Sequence, residues 1–252
     1  RSVCRSVLTK SAAIKFRRQL SRIPAGSKLA ARLFNVYLEF ESRESPPKSD
    51  LDQPIHRRFY RPILEINDNG YLFGYWQSPK YFEDITEQIR DEFRVTKLKG
   101  ENKTIAERIQ NERSVAIHIR RGDVAEHGDA DPLNYFTQAS EYMTHQLDDP
   151  HFFIFSDEPE FVRAQLDLDH PTTLVDQNSP ATPHLDMELL RRCDHHINSS
   201  STFSWWGAWL NDNEDKIVTV PEPITRGDYS QDHMERWDYL PPDWTSIDYR
   251  ER

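Results

Sequence analysis

The chain has 252 residues, 37% of them hydrophobic and 12% aromatic, and a formal charge of −10. That length suits one large domain or two smaller ones. Residues 1–38 hold nine Lys/Arg and no Asp or Glu, so the other 214 residues carry −19, which argues against nucleic acid as the main partner.

The basic opening, rich in Arg and Ser, has the composition of a targeting or stem segment, of a surface for anionic lipid, or of one end of an interrupted domain. No stretch reaches the roughly 18 apolar residues of a membrane span, so any anchor is expected upstream. Cys4 and Cys193 form no disulfide framework. Residues 43–54, with Pro46, Pro47 and Pro54, suggest a loop or linker. Phe82, Ile85, Ile89 and Phe93 predict a helix over about 80–94, and a polar helix follows over about 101–112. A strand is expected at 115–119. Leu133, Phe136, Ala139, Met143 and Leu147 then mark a helix before a strand at 152–155. Pro159 suits a helix start, and Leu185, Leu189 and Cys193 stripe a helix before a strand at 195–198. Ile217–Val220 closes the series before Pro221. Strands alternating with helices predict an α/β fold with a parallel sheet, whose ligands bind beyond the carboxyl ends of the strands. Arg120, Asp157 and Ser199 fall there.

His118-Ile-Arg-Arg-Gly-Asp123 directly follows the apolar Val115-Ala-Ile117. Two guanidiniums at the end of a buried strand are costly without an anion to meet them, and arginine's planar fork suits phosphate. The plainer alternative is a pair of surface arginines matched by nearby carboxylates. Ser199, Ser200, Ser201 and Thr202 stand at N-cap positions ahead of the apolar run Phe203-Ser-Trp-Trp-Gly-Ala-Trp209. A helix start offers free N–H groups and a positive dipole end to phosphate, or is simply a well-capped core helix.

His118–Asp123, Phe152-Phe-Ile-Phe-Ser-Asp157, Ser200-Ser-Thr-Phe-Ser-Trp-Trp-Gly-Ala-Trp-Leu210 and Phe73-Gly-Tyr-Trp-Gln-Ser-Pro-Lys-Tyr-Phe82 together resemble the motif set of the α-1,2-fucosyltransferases, glycosyltransferase family 11. The resemblance runs over roughly residues 55 to 222. It implies a GT-B-like fold of two Rossmann-like domains with parallel sheets, divided as a partial acceptor-side domain at 1–110 and a GDP-fucose-binding domain at 111–252. Members of this family begin with a turn of the type Gly-Gly-Leu-Gly-Asn-Gln. The first 50 residues here hold one glycine, Gly26, so the chain is expected to be an N-terminally incomplete fragment.

The implied reaction is inverting, metal-independent transfer of L-fucose from GDP-fucose to the 2-hydroxyl of a terminal galactoside. Alternatives are a fucosyltransferase of other linkage or acceptor, and a non-catalytic nucleotide-binding protein. Arg120 is expected to stabilise charge on the β-phosphate, while Arg121 contacts the nucleotide or buttresses the loop through a carboxylate. Ser199, Ser200, Ser201, Thr202 and Phe203 are expected around the remaining phosphate oxygens. The resemblance also gives Asp194 the guanine N1 and N2 hydrogens, and gives His118 a nucleotide contact, with a satisfied core histidine as its alternative. Asp123 is the nearest candidate for general base, or a salt-bridge partner of Arg121; Glu126, His127 and Asp129 follow it. Trp205, Trp206 and Trp209 suit core packing better than a sugar platform, while Tyr75, Trp76 and Gln77 are candidates for contact with the acceptor or the domain interface, with a structural role as the alternative. Asp-x-Asp pairs at 129–131, 50–52 and 167–169 are expected of an Asp-rich chain, and neither metal nor cofactor is expected. Expected partners are GDP-fucose and a galactoside-terminated glycan. Membrane association through an upstream segment is also expected, in the Golgi lumen of a eukaryote or on the cytoplasmic face of a bacterium.

Overall fold

A computed structural model describes residues 78–222 and 239–250, the strand segments 38–40 and 71–73, and the single residues Phe59 and Leu64. The basic leader, the 43–54 linker and Tyr75, Trp76 and Gln77 lie outside the described residues. The chain divides into two compact units, Arg1–Gln77 and Ser78–Arg252. In the first, β1 (Leu38–Phe40) pairs in parallel with β2 (Tyr71–Phe73), Leu38 opposite Tyr71.

The second unit is an α/β fold around a six-stranded parallel sheet. Its elements in chain order are α1 (Thr86–Glu92), α2 (Gly100–Asn111), β3 (Ser114–Ile119), α3 (Gly122–Glu126), α4 (Leu133–Gln146), β4 (His151–Ser156), α5 (Pro159–Gln165), β5 (Thr172–Val175), α6 (Pro183–Arg192), β6 (His195–Ile197), α7 (Thr202–Leu210), β7 (Val218–Glu222) and β8 (Thr245–Asp248). Across the sheet the order is β5-β4-β3-β6-β7-β8. From β3 the chain builds outward through β4 to β5, then returns to the other side of β3 for β6 and continues to β8. The reversal falls between β3 and β6.

All six residues of β3 are buried, as a central parallel strand covered on both faces requires. Alternation sorts them. Val115, Ile117 and Ile119 pack with Phe152, Ile154 and the α4 residues Phe136 and Met143. Ala116 faces the other way, with Phe153, Phe155 and Val175, against Ile109 of α2 and Leu189 and Leu190 of α6. Helix α2 therefore belongs to the core of the second unit. The expected domain boundary at 110/111 would cut between this helix and the strand it leads into, and the division lies at Gln77/Ser78 instead.

Three further differences have physical causes. The helix expected over 80–94 is two 3-10 turns, Pro79–Tyr81 and Glu83–Ile85, followed by α1. Phe82 and Ile85 leave helical geometry at φ −139 and −125, and the Phe82 ring stacks on Trp206 at 5.3 Å and meets Trp209 edge-on at 4.9 Å. Strand β7 runs on through Pro221, which lies beyond the stretch where β6 pairs, so its missing N–H deprives β6 of nothing. Strands β5 and β8 are edge strands of four residues with little burial, too polar to show an apolar pattern. Among the described residues no helix is long and apolar enough to cross a membrane.

Candidate active site

The carboxyl ends of β3, β4 and β6 lie side by side, because those strands are neighbours in the sheet. Their loops bring together Arg120, Arg121 and Asp123 after β3, Asp157 and Glu158 after β4, and Ser199–Thr202 after β6. This is the topological switch point, where open parallel sheets leave a crevice for ligands.

Arg120 is 35% exposed at its side chain, and its guanidinium meets two carboxylates: Nη1 lies 2.7 Å from Asp157 Oδ2, and Nη2 2.5 Å from Asp123 Oδ1. The backbone N–H of Arg121 donates to Asp157 Oδ1 at 2.9 Å. Gly122 permits this closeness, since a Cβ there would stand 2.5 Å from Asp157 Oδ2. Arg121 turns elsewhere: Nε donates to Glu158 Oε2 at 3.1 Å, and its guanidinium carbon lies 3.5 Å from the Phe161 ring centroid. Of the two roles open to Arg121, this geometry matches the buttress through a carboxylate. Asp123 pairs with Arg120, not with Arg121.

The second loop is held mainly from inside. His118 is buried, its Nδ1 2.9 Å from Ser199 Oγ and its ring 5.3 Å from that of Phe203. This contact ties the end of β3 to the end of β6 across the reversal. Asp131 is buried as well, and its two oxygens accept from the Ser200 N–H and hydroxyl, both at 2.6 Å. Ser201 caps α7 by accepting from the Phe203 N–H at 3.3 Å. Tyr135 donates to the Asn198 carbonyl at 2.7 Å, and burial raises its hydroxyl well above the ordinary range. The hydroxyls of Ser199, Ser200 and Ser201 are thus engaged within the protein, and Thr202, exposed at the first position of α7, is the one turned to solvent. Asp131 is the residue that sequence reasoning missed. Sixty-nine positions separate it from Ser200, and the only sequence signal was its place in an Asp-x-Asp pair.

Asp194 is not part of this group. Its Oδ2 accepts from the N–H and hydroxyl of Ser114, each at 3.1 Å, and Ser114 Oγ accepts from the Asp194 N–H at 3.0 Å. Ser114 opens β3, so Asp194 stands at the amino edge of the sheet, on the opposite side from Arg120. The guanine contact expected for it is corrected on that ground. A solvent-open hollow of about 420 Å³ lies at this same edge, lined by Glu112, Arg113, Asp194 and His195. It is remote from the arginine fork, and Glu112, Asp194 and His195 in its walls already have partners.

Beyond β5, at the carboxyl edge, lies an amide and carboxyl cluster. Asn178 Nδ2 donates to Asn102 Oδ1 at 2.9 Å and to Asp186 Oδ1 at 2.7 Å, and Gln177 Nε2 donates to Asn102 Oδ1 at 2.8 Å. Burial raises the Asp186 carboxyl above its ordinary value, while the Asn178 hydrogen bond lowers it. Trp205 and Trp209 are buried and pack with Phe82, Tyr239 and Trp244, so they serve the core. Among the described residues no three His, Cys, Asp or Glu side chains gather as a metal-ligand set.

The fold is that of an α/β protein with charged side chains gathered at the switch point of its parallel sheet. The profile of glycosyl transferase family 11 matches residues 60–248, and the chain belongs to that family. It is 31% identical over 186 residues to the O-antigen biosynthesis glycosyltransferase WbnK of Escherichia coli, covering 67% of this chain and 60% of that protein. An alpha-1,2-colitosyltransferase of Escherichia coli is 27% identical over 187 residues, covering 70% and 62%. The human galactoside alpha-(1,2)-fucosyltransferase 1 is 28% identical over 154 residues, covering 55% and 42%. The chain thus spans about three-fifths of the length of the two bacterial relatives. Among solved structures it is similar to KpsC, the beta Kdo 2,4 transferase of Thermosulfurimonas dismutans, at 16% identity and a TM-score of 0.37, covering 66% of this chain and 54% of that one.

Proposed function

We propose that this chain binds GDP-L-fucose at the carboxyl edge of its six-stranded sheet. There it serves inverting, metal-independent transfer of fucose to the 2-hydroxyl of a terminal galactoside, within a GT-B arrangement of two domains. The observation that supports this most is Arg120, a part-exposed fork at the end of the central strand, at the switch point of a family 11 chain. When the glycosidic bond breaks, its electron pair stays on the terminal phosphate of the nucleoside diphosphate, and Arg120 with the start of α7 offers the positive potential that stabilises this added charge. Asp123, beside Arg120, is the carboxylate best placed to take the proton of the acceptor hydroxyl. The relatives named for fucosyl and colitosyl transfer favour this class of reaction and put colitose forward as a second donor sugar. Membrane attachment belongs to the same proposal and would rest on residues outside the described ones.

The guanine-reading role passes from Asp194 to Asp186. Asp186 lies in the first turn of α6, at the carboxyl edge, with one oxygen on Asn178. A carboxylate accepts two guanine hydrogens at once, which uracil cannot supply, and an unpaired desolvated donor costs about 1–3 kcal/mol. The test is GDP release from GDP-fucose against a panel of galactosides, with and without EDTA, together with GDP/UDP competition on Asp186→Ala. Release with a galactoside that survives EDTA, and a GDP/UDP preference that falls roughly tenfold or more in the variant, are the expected results. GDP binding without release under any acceptor would move the chain to the non-catalytic reading.

A further inference from the structure

Arg120 carries two carboxylates, and they are not equivalent. Asp157 is 26% exposed at its side chain and held twice, by Arg120 Nη1 at 2.7 Å and by the Arg121 N–H at 2.9 Å. The absent side chain of Gly122 leaves the room it fills. Asp123 stands on the short helix α3 with its side chain 71% exposed, and Arg120 Nη2 reaches it at 2.5 Å. Both terminal nitrogens of the fork therefore face carboxylate oxygens. A phosphate that uses the fork bidentately has to take the place of one of them. The solvated Asp123 gives way at less cost than Asp157, since an exposed ion pair is weak and its carboxylate returns to water on leaving.

Resting on the donor-binding reading above, we infer that Asp123 occupies the position of the donor's phosphate in the free protein and is displaced when the nucleotide binds. Asp157 remains and positions the fork. The two carboxylates then act on nucleotide affinity with opposite sign. Removing the charge of Asp123 abolishes an internal competitor and tightens binding. Removing that of Asp157 releases the fork from its anchor and weakens binding. A merely structural role for Asp123 would weaken binding, and a role confined to proton transfer would leave it unchanged.

The experiment is calorimetric titration of GDP, and separately of inorganic pyrophosphate, into the 252-residue chain and into Asp123→Asn, Asp123→Ser, Asp157→Asn and Arg120→Lys. Far-UV dichroism and Tm establish that each variant is folded. Both Asp123 variants should bind GDP and pyrophosphate with a Kd roughly two- to fivefold lower than the parent, the fold-change matching an exposed pair. Asp157→Asn should bind with a Kd higher on the order of tenfold. If Arg120→Lys weakens binding while the folded Asp123 variants bind as the parent does or more weakly, the displacement is overturned and the donor-binding reading stands. If the parent binds neither GDP nor pyrophosphate, the donor-binding reading fails and takes this inference with it.

Discussion

The amino and carboxyl edges of the six-stranded sheet both collect polar side chains, and they satisfy them differently. At the amino edge Asp194 is matched to Ser114, and the Ile217 N–H donates to His195 Nδ1 at 3.0 Å. Asn211 Nδ2 reaches both the Cys193 carbonyl at 2.5 Å and His196 Nε2 at 2.8 Å. Burial raises the Cys193 thiol well above its ordinary range, so it stays protonated and unreactive. These groups close the end of the fold on itself. At the carboxyl edge Asp131 is buried on Ser200, but the charges of the arginine loop stay part-exposed, and one of the two carboxylates on the fork of Arg120 is open to replacement by a ligand. The contrast separates polar residues that specify the fold from polar residues kept available. It predicts that substitutions at the amino edge change stability and leave nucleotide binding alone, and that the reverse holds at the carboxyl edge.

The largest expected effect is at the amino edge, in acid. His196 is fully buried, and its Nε2 accepts from Asn211, while its Nδ1 has no hydrogen-bond partner among the described residues. Burial first, then the charge of Lys216, lowers its pKa to about 3. Unfolded, the ring titrates near 6.5. The folded value is the depressed one, so the unfolded chain binds the extra proton between these limits. The stability contributed by the neutral ring is complete above about pH 6.5 and is lost as pH falls toward 3, and since charging a buried ring costs several kcal/mol the loss is of that order. Urea midpoints at pH 7.5 and 5 should show a marked fall in the parent and a smaller one in His196→Gln. Equal falls in the two proteins would assign the acid limb to other groups, His195 first among them, because burial lowers its pKa too.

Next in size is the fork itself. Arg120→Lys replaces a planar pair of donors by a point charge and should raise the Kd for GDP about ten- to hundredfold, the equivalent of a charge-assisted contact worth roughly 1.5–3 kcal/mol. Tm should stay within a degree or two, since the side chain is 35% exposed and supports no core. A large fall in Tm would place Arg120 with the structural residues and erase the contrast between the edges.

Asp194→Ala should do the opposite. It leaves the Ser114 N–H and hydroxyl without their acceptor, costing about 1–3 kcal/mol of stability while the GDP/UDP ratio holds. A changed ratio in a folded variant would return the guanine contact to Asp194.

The distance between that expectation and the structure shows where sequence reading ends. The central strands were readable because β-branched and aromatic runs of five or six residues have few alternatives, and β3 and β4 extend the expected spans by only a residue or so. The arginine loop was readable because its residues are contiguous. Asp194 was misplaced because Ser199 is only five positions further along, yet an extended chain rises about 3.3 Å per residue, so the two stand roughly 16 Å apart at opposite ends of one strand. Proximity in sequence is distance in space along a strand. The Asp131–Ser200 clamp failed for the converse reason: its partners are far apart in sequence and meet only because the chain reverses between β3 and β6. The break at Phe82 was hidden because its spacing to Ile85 and Ile89 is helical, and only the tryptophans of α7 reveal what draws the ring away.

The smallest effect probes how finely the carboxyl edge is set. A Cβ at Gly122 would fall 2.5 Å from Asp157 Oδ2 and 3.9 Å from the guanidinium carbon of Arg120. Something must shift, and the carboxylate is the candidate, because it ends a side chain in a part-exposed loop while the Gly122 backbone opens α3. Crowding of this kind costs about 1 kcal/mol, the low end of overpacking, because solvent lies on one side. Gly122→Ala should therefore lower stability slightly and weaken GDP binding about threefold to fivefold, by turning Asp157 away from the fork it anchors. The Gly122→Ala, Asp157→Asn double variant distinguishes this from a direct clash with the ligand. If the alanine acts through Asp157, it adds little once that carboxylate is neutralised, whereas independent effects would multiply.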